Sequence, residues 1–151
     1  MRYFLDTSAL VKYYHTEAGS PKVIALVDTA ANISLISRIG LVEMHPAFAR
    51  RVRTGEITDF TFYQWRRRFF ADLRSRRFRI IRSSRLHERE AMRLLVKYGF
   101  AHSLRTLDAL QLAAAVWLRE QSNLDWFVCA DASLCAVAQL ESVPVINPET
   151  P

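Results

Sequence analysis

Five short apolar segments, spread along the whole 151-residue chain, constrain the fold more than any other feature. Each is four residues long and is typical of a strand buried on both faces of a parallel sheet. The predicted strands are Arg2–Leu5, Ile33–Ile36, Phe78–Ile81, Trp126–Cys129 and Val143–Ile146. Helical patterns separate them. Strands that alternate with helices predict an α/β domain, specifically a three-layer α/β/α sandwich with a mostly parallel central sheet.

The segments between the strands have the boundary residues of helices. Ser37 is a typical N-cap for a helix that reaches about Arg53, and Gly99 is a typical C-cap for a helix that begins near Ser84. Pro46 lies inside the first of these helices and predicts a kink or a later start. The segment "FTFYQWRRRFF" predicts a helix whose apolar stripe packs in the core. Its remaining aromatic rings could contact a partner helix or stack on the bases of a single-stranded nucleic acid. The predicted helices span residues 8–16, 20–31, 37–53, 58–76, 84–98, 105–121 and 132–141.

Length and composition indicate one globular domain over residues 1–147, followed by a short tail at 148–151. Half of the residues are hydrophobic, which excludes a disordered chain. No apolar run is long enough to span a bilayer, and Asp6 interrupts the N-terminal run too early for a signal peptide. Cys129 and Cys135 lack zinc-ligand spacing and are expected to be core residues rather than a disulfide. A cytoplasmic location is therefore expected.

The net charge of +6 is unevenly distributed. Residues 50–93 contain 14 arginines and five acids, whereas the rest of the chain contains seven basic and ten acidic residues. Arginine grips phosphate through two parallel hydrogen bonds and stacks on bases, which favours a nucleic-acid partner. A solvated helical surface, with arginine stems covering apolar residues, explains the charge equally well.

Four acidic residues are candidates for one functional site. Asp6 and Asp131 each follow a predicted strand, where the carboxyl ends of parallel strands meet. Glu43 and Asp108 lie on early turns of predicted helices among apolar neighbours. Clustered carboxylates repel one another unless a cation lies between them, and Mg²⁺ or Mn²⁺ suits oxygen ligands of this kind. The set therefore predicts a metal site that could activate water against a phosphodiester.

Three of these acids also have a simpler explanation, whereas Glu43 has no basic partner three or four residues away, so a polar pocket or a cation is expected beside it. Asp6 suits the N-cap of the first helix, and Asp131 suits the N-cap of the last one, where it would accept from the Leu134 amide. Asp108 is three residues from Arg105 and could pair with it. The hydroxyls of Thr7, Ser8 and Ser133 are placed to support the acids by hydrogen bonds. The four histidines are scattered without ligand spacing and are expected to be polar residues rather than catalytic ones.

Four segments in register carry a resemblance to PIN-domain ribonucleases, and more narrowly to the VapC-type toxins of toxin–antitoxin pairs. They are "FLDTSALVKYY", "SRIGLVE", "RTLDALQLAAA" and "FVCADASLCAVAQLESVPVINP", and together they extend over nearly the whole chain. "EMHPAF" departs from the family pattern, because His45 and Pro46 stand where small or aliphatic residues are usual. No residue role is carried over for the variable segment 50–93.

The resemblance implies a parallel α/β/α sandwich and an endoribonuclease that depends on Mg²⁺ or Mn²⁺. It implies that Asp6, Glu43, Asp108 and Asp131 are the catalytic metal ligands. It implies supporting roles for Thr7, Ser8, Ser37 and Ser133. The partners it implies are an RNA substrate, a cognate antitoxin protein and a second copy of the chain in a homodimer.

Two other functions remain as alternatives. A non-catalytic RNA- or protein-binding module could keep the same fold, and only metal binding would separate it from the nuclease. A phosphoacceptor receiver-like domain also has acids at strand ends. It would need adjacent acids early in the chain and a lysine after the last strand, and the sequence has "LDTS" and no such lysine.

Overall fold

The computed structural model describes residues 1–150, which form five strands and seven α-helices. The strands are β1 Arg2–Leu5, β2 Ile33–Ser37, β3 Phe78–Ile81, β4 Trp126–Val128 and β5 Val145–Ile146. The helices are α1 Thr7–Leu10, α2 Ser20–Asp28, α3 Arg38–Arg53, α4 Asp59–Arg74, α5 Arg85–His102, α6 Thr106–Glu120 and α7 Ala132–Leu140. A 3₁₀ turn, Val11–Tyr13, continues α1.

All strand pairs of the sheet are parallel, in the order β3-β2-β1-β4-β5. The chain builds the sheet outward from β1 through β2 to β3, and then crosses to the other side of β1 to add β4 and β5. The strand order therefore reverses between β1 and β4. In open parallel sheets the loops diverge at such a point and leave a crevice at the carboxyl ends of the strands.

Alternating side chains of the strands feed two separate hydrophobic clusters, one on each face of the sheet. Phe4 points into the cluster formed with α5, α6 and α7, whereas Tyr3 and Leu5 point into the cluster formed with α1 to α4. Side chains alternate between faces along a strand, so burial on both faces produces continuous apolar runs. The predicted three-layer α/β/α sandwich with a parallel sheet is confirmed.

Several predicted boundaries are wrong. The first helix was expected over residues 8–16, but α1 ends at Leu10 and tightens into the 3₁₀ turn. Helix α5 continues through Gly99 to His102, and Ser103 in the left-handed region (φ 50°) ends it. The chain has only four glycines, and serines occupy this conformation after three helices. The strand predicted at 143–146 is shorter, because β5 is only Val145–Ile146.

The helix around Pro46 is uninterrupted. Helix α3 runs from Arg38 to Arg53 with Pro46 inside it, and the Ser37 hydroxyl accepts from the Gly40 amide at 2.9 Å as the predicted N-cap. Pro46 has no N–H to donate to the preceding turn, yet the buried side chains of Met44 and Phe48 hold the helix against the sheet.

The residues after β5 pack back onto the N-terminal part of the chain. Pro148 is buried against Gly19, where a Cβ would come within 2.8 Å of the proline backbone, and Glu149 pairs with Lys12 at 2.6 Å. Pro151, the last residue of the predicted tail, lies outside the described residues. Within residues 1–150, no helix combines the length and apolar character needed to cross a membrane.

Candidate metal centre

Asp6 and Asp131 lie on the same edge of the sheet, because each follows one of two adjacent parallel strands. The Asp6 amide donates to the Val128 carbonyl at 2.9 Å, and this hydrogen bond extends the pairing of β1 with β4 to Asp6. The Ser8 hydroxyl joins the two loops, since it accepts from the Ala130 amide at 3.0 Å and donates to Asp6 at 2.6 Å. Both acids are thus positioned at the point where the strand order reverses.

Asp6 is a buried carboxylate, 5% exposed, that forms no ion pair with any of the described residues. Its Oδ2 accepts from the amide and the hydroxyl of Ser8, so the simpler role of helix N-cap is also present. Burial raises the pKa of Asp6, and the negative charge of Glu43 raises it further, while the Ser8 hydrogen bonds oppose both effects.

Glu43 reaches the site from the second turn of α3. Its Oε2 accepts from the Thr7 hydroxyl at 2.8 Å and from Gln111 Nε2 at 2.6 Å. Glu43, which has apolar neighbours in the sequence, therefore points into a polar pocket. Thr7, predicted as a supporting hydroxyl, therefore acts on Glu43 rather than on its neighbour Asp6.

Asp108 lies in the first turn of α6 and is half-buried. Burial raises the pKa of Asp108, the charges of Asp6 and Asp131 raise it further, and Arg105 works against them without forming an ion pair. Asp131 caps α7, because its Oδ1 accepts from the Leu134 amide at 2.9 Å as predicted.

The four acids are electrostatically connected but do not form a ready coordination shell. Within residues 1–150, no three carboxylate, imidazole or thiol groups lie close enough together to hold a metal ion. The carboxylates repel one another, and hydrogen bonds hold three of them (Asp6, Glu43 and Asp131) in separate orientations. Their chemistry nevertheless fits a hard divalent cation, since four carboxylates without a cationic partner supply the oxygen ligands that Mg²⁺ and Mn²⁺ prefer.

Two depressions meet at Asp131. The smaller, about 110 Å³, is lined by Asp108, Ser133 and the end of α5 around His102. The larger, about 380 Å³, extends from Thr7 and Ser8 to basic side chains. Those side chains are Lys12, Arg50 and Arg51. A polyanion bound along this surface would therefore contact the acids at one end and the basic side chains at the other.

The basic residues differ in how far they are neutralised. Lys12 is buried between Glu17 and Glu149, at 2.9 and 2.6 Å, and Arg51 pairs with Glu17 at 2.7 Å. Arg50 is exposed and forms no ion pair with the described residues. Of the other arginines in 50–93, Arg68, Arg77 and Arg93 are occupied by aromatic rings or by acids. Arg50 is therefore available to a nucleic acid, whereas the paired arginines of the segment contribute to the folded surface.

The prediction that the cysteines are core residues without a disulfide is confirmed, and the histidines lie in different surroundings. Cys129 and Cys135 are free, buried thiols, and Cys129 Sγ lies 3.8 Å from Asp6 Oδ2. His15 accepts from Arg51, and His45 contacts the Leu41 carbonyl within its own helix. His87 is buried on α5, and burial lowers its pKa.

Gln111 is the residue that sequence reasoning missed. Its side chain is buried, with the residue only 1% exposed, and it donates to both Glu43 and Thr7. An amide inside the apolar run "LDALQLAAA", one turn after Asp108, was the feature that could have identified it. Glutamine is a common helix residue, so the pattern alone gave no reason to single it out.

This chain belongs to the PIN-domain family, whose model matches residues 3–140. Among curated proteins, no sequence matches it. Solved structures with the same fold include VapC20 of Mycobacterium tuberculosis, a toxin that cleaves the sarcin–ricin loop. That structure has a TM-score of 0.64 and 18% identity, with 89% of this chain and 93% of VapC20 covered.

Two further structures of similar fold are toxin–antitoxin complexes. VapBC2 of Rickettsia felis, bound to a DNA fragment of its promoter, has a TM-score of 0.63 and 17% identity and covers 97% of this chain and 98% of its own. A complex from Klebsiella pneumoniae has a TM-score of 0.62 and 19% identity, with 97% of both chains covered. At these identities the likeness establishes the fold.

Proposed function

We propose that this protein is a metal-dependent endoribonuclease, the toxin component of a type II toxin–antitoxin pair. The observation that carries the proposal is the group of four carboxylates from four different elements, none in an ion pair with any of the described residues, at the crevice between β1 and β4. Leaving charges of one sign uncompensated costs stability, and a fold keeps such an arrangement when a cation or a reaction uses it.

In this proposal Asp6, Glu43, Asp108 and Asp131 hold Mg²⁺ or Mn²⁺. Such an ion, when bound, supplies a water of lowered pKa and stabilises the charge that develops on the phosphate during hydrolysis. The Ser8 hydroxyl holds Asp6 and ties its loop to the loop of Asp131, which keeps the two acids in register. Ser37 holds the start of α3 and thereby the position of Glu43.

The chain's own basic residues bind the substrate backbone. Arg50, which forms no ion pair with the described residues, lines the depression that begins at Asp131, and an RNA phosphate next to the scissile one would meet it. Binding is then strongly salt-dependent, because each neutralised phosphate releases counterions.

An antitoxin protein is the proposed inhibitor, since solved structures of this fold include toxin–antitoxin complexes. It would act by covering the acidic edge. Tyr63, 65% exposed, lines a shallow depression between α4 and α3 together with Phe62, and this apolar surface suits a partner helix. A homodimer is proposed from the family resemblance, and the exposed apolar stripe Met92, Val96 and Phe100 on α5 is the face we assign to it.

The test is cleavage of a total RNA pool by purified, antitoxin-free protein in Mg²⁺, in Mn²⁺ and in EDTA, with Asp108→Asn beside the wild type. Discrete products that need metal and are lost in Asp108→Asn would support the nuclease. Wild-type-like cleavage by Asp108→Asn would overturn the assignment of the site. If no cleavage occurs, calorimetric titration with Mn²⁺ decides between a nuclease whose target is missing from the pool and the alternative, a non-catalytic binding module.

A further inference from the structure

Gln111 is a polar side chain on a helix that is otherwise buried through apolar residues. Its neighbours Leu112, Ala113 and Ala114 belong to the hydrophobic cluster between the sheet and helices α5, α6 and α7. The Gln111 residue is only 1% exposed, so its amide is removed from water. A buried amide stabilises a fold only where its hydrogen bonds are satisfied.

The orientation of this amide is fixed by its partners. Nε2 lies 2.6 Å from Glu43 Oε2 and 3.1 Å from Thr7 Oγ1. The flipped amide would place Oε1 against a carboxylate oxygen, and two acceptors cannot share a hydrogen bond. Oε1 is left buried with no hydrogen-bond partner among the described residues.

The two polar atoms of the Gln111 amide therefore differ in their effect, since Nε2 forms hydrogen bonds and Oε1 forms none. The orphaned Oε1 destabilises the core, and the Nε2 hydrogen bond to the Glu43 carboxylate offsets that cost. The amide N–H groups serve Glu43 and Thr7. Gly40 packs closely over the group, because a Cβ there would lie 3.7 Å from Nε2 and 3.8 Å from Thr7 Oγ1.

Two donors converge on a single oxygen of Glu43. The Thr7 hydroxyl and Gln111 Nε2 both donate to Oε2, while no hydrogen bond from the described residues reaches Oε1. An oxygen that already accepts two strong hydrogen bonds is a poor ligand, and its partner oxygen is then the one available to a cation.

We propose that Gln111 is a positioning residue for the metal centre: with Thr7 it fixes Glu43 through Oε2 and leaves Oε1 to ligate the divalent cation. This inference rests on the proposed function, because it assumes that Glu43 is a ligand. It assigns the role to a residue outside the acidic set.

The test is Gln111→Met, which keeps the size and removes the donor. The matched control is Leu112→Met, the adjacent buried residue of the same helix. Mn²⁺ affinity of the metal-free proteins is measured by calorimetry, and thermal unfolding is measured in EDTA. We expect Gln111→Met to bind Mn²⁺ about 10–100-fold more weakly, as for other residues that orient metal ligands, and to remain folded at the temperature of the titration. Leu112→Met should leave the affinity unchanged.

A merely structural role predicts a changed unfolding temperature with unchanged Mn²⁺ affinity, and unchanged affinity would overturn the inference. RNA cleavage adds a second readout. The Mn²⁺ concentration for half-maximal rate should rise by the same factor as the binding constant, with the KM for RNA unchanged.

Asp108→Asn separates failure of the inference from failure of the proposed function. If Asp108→Asn loses Mn²⁺ binding but Gln111→Met binds like the wild type, the metal centre stands and the role of Gln111 is wrong. If the wild type itself binds no Mn²⁺, the metal centre and the inference are both wrong.

Discussion

Glu141 and Asp108 show two opposite environments for a carboxylate in one small domain. Glu141, just after α7, accepts from Arg93 at 2.5 Å, Lys97 at 2.9 Å and Tyr98 at 2.6 Å. Burial alone would raise its pKa, but these donors outweigh burial and lower the pKa of Glu141 to about 2. Asp108 has no such donors, and burial together with two neighbouring acids raises its pKa.

The difference separates an acid that stabilises the fold from the acids that we propose as metal ligands. Glu141 joins α5 to the end of α7, so its charge is compensated by the elements that it connects. Asp6 and Asp108 lie where neighbouring charges have the same sign, an arrangement that opposes folding in the absence of a cation. Removing one acid from each region should therefore have opposite consequences.

The largest expected effect is the loss of RNA cleavage in Asp108→Asn. A bound metal contributes several kcal/mol of transition-state stabilisation, so we expect the rate to fall by at least about 100-fold. Glu88→Gln, at an exposed acid in the first turn of α5, is the control and should cleave like the wild type. Equal loss in both variants would mean that net charge, rather than the site, is responsible.

Glu141→Gln should lower the free energy of unfolding and leave cleavage unchanged. We expect a loss of about 1–2 kcal/mol, less than the full pKa shift implies, because Arg93 and Lys97 are 43% and 53% exposed and solvent screens them. Urea unfolding measures it. Glu120→Gln is the control, since that acid is exposed and lies 3.8 Å from Arg119, and it should change stability little.

The stability difference between wild type and Glu141→Gln should depend on pH. The folded pKa of Glu141 lies below its unfolded value, so the unfolded chain binds more protons across that interval and stability rises with pH. The contribution is complete above about pH 5 and is lost as the pH falls toward about 2. Urea unfolding from pH 7 to pH 3 should show the two proteins converging; a constant difference would contradict the ion-pair explanation.

The smallest expected effect concerns Arg50, the unpaired arginine beside the acids. Arg50→Gln should weaken RNA binding and lower the slope of log affinity against log salt by about 0.7–0.9, one phosphate contact. Binding to catalytically inactive Asp108→Asn protein, titrated over several salt concentrations, measures it. Arg77→Gln is the matched control, because Arg77 is occupied by Asp28 and Asp72 and should leave the slope unchanged.

The fold was predictable because burial on both faces makes each strand an apolar run. Arg2–Leu5 and Phe78–Ile81 were predicted with their observed bounds. The helix ends were less predictable. Gly99 does not end α5, since side chains such as Leu94 and Tyr98 pack in the core and the helix continues one turn further to a serine.

The site was predictable in composition but not in detail. Asp6 and Asp131 each follow a strand and precede a helix, so the same local pattern is expected for a helix cap and for a metal ligand. The structure contains the helix-capping hydrogen bond at both residues. That Thr7 serves Glu43, and that Gln111 joins them, depends on contacts between residues 36 and 68 positions apart, which no local pattern encodes. The four acids were candidates from their positions at strand ends and on early helical turns, and the family resemblance implies the same four residues.

The central claim is that the acids around Asp108 are left uncompensated for a divalent cation, and thermal unfolding tests it most directly. In EDTA, Asp108→Asn should unfold at an equal or higher temperature than the wild type, because it relieves repulsion among like charges. Mn²⁺ should raise the unfolding temperature of the wild type, since a ligand that binds the folded state stabilises it, and should raise that of Asp108→Asn much less. A variant that is less stable in EDTA and responds to Mn²⁺ like the wild type would contradict the claim.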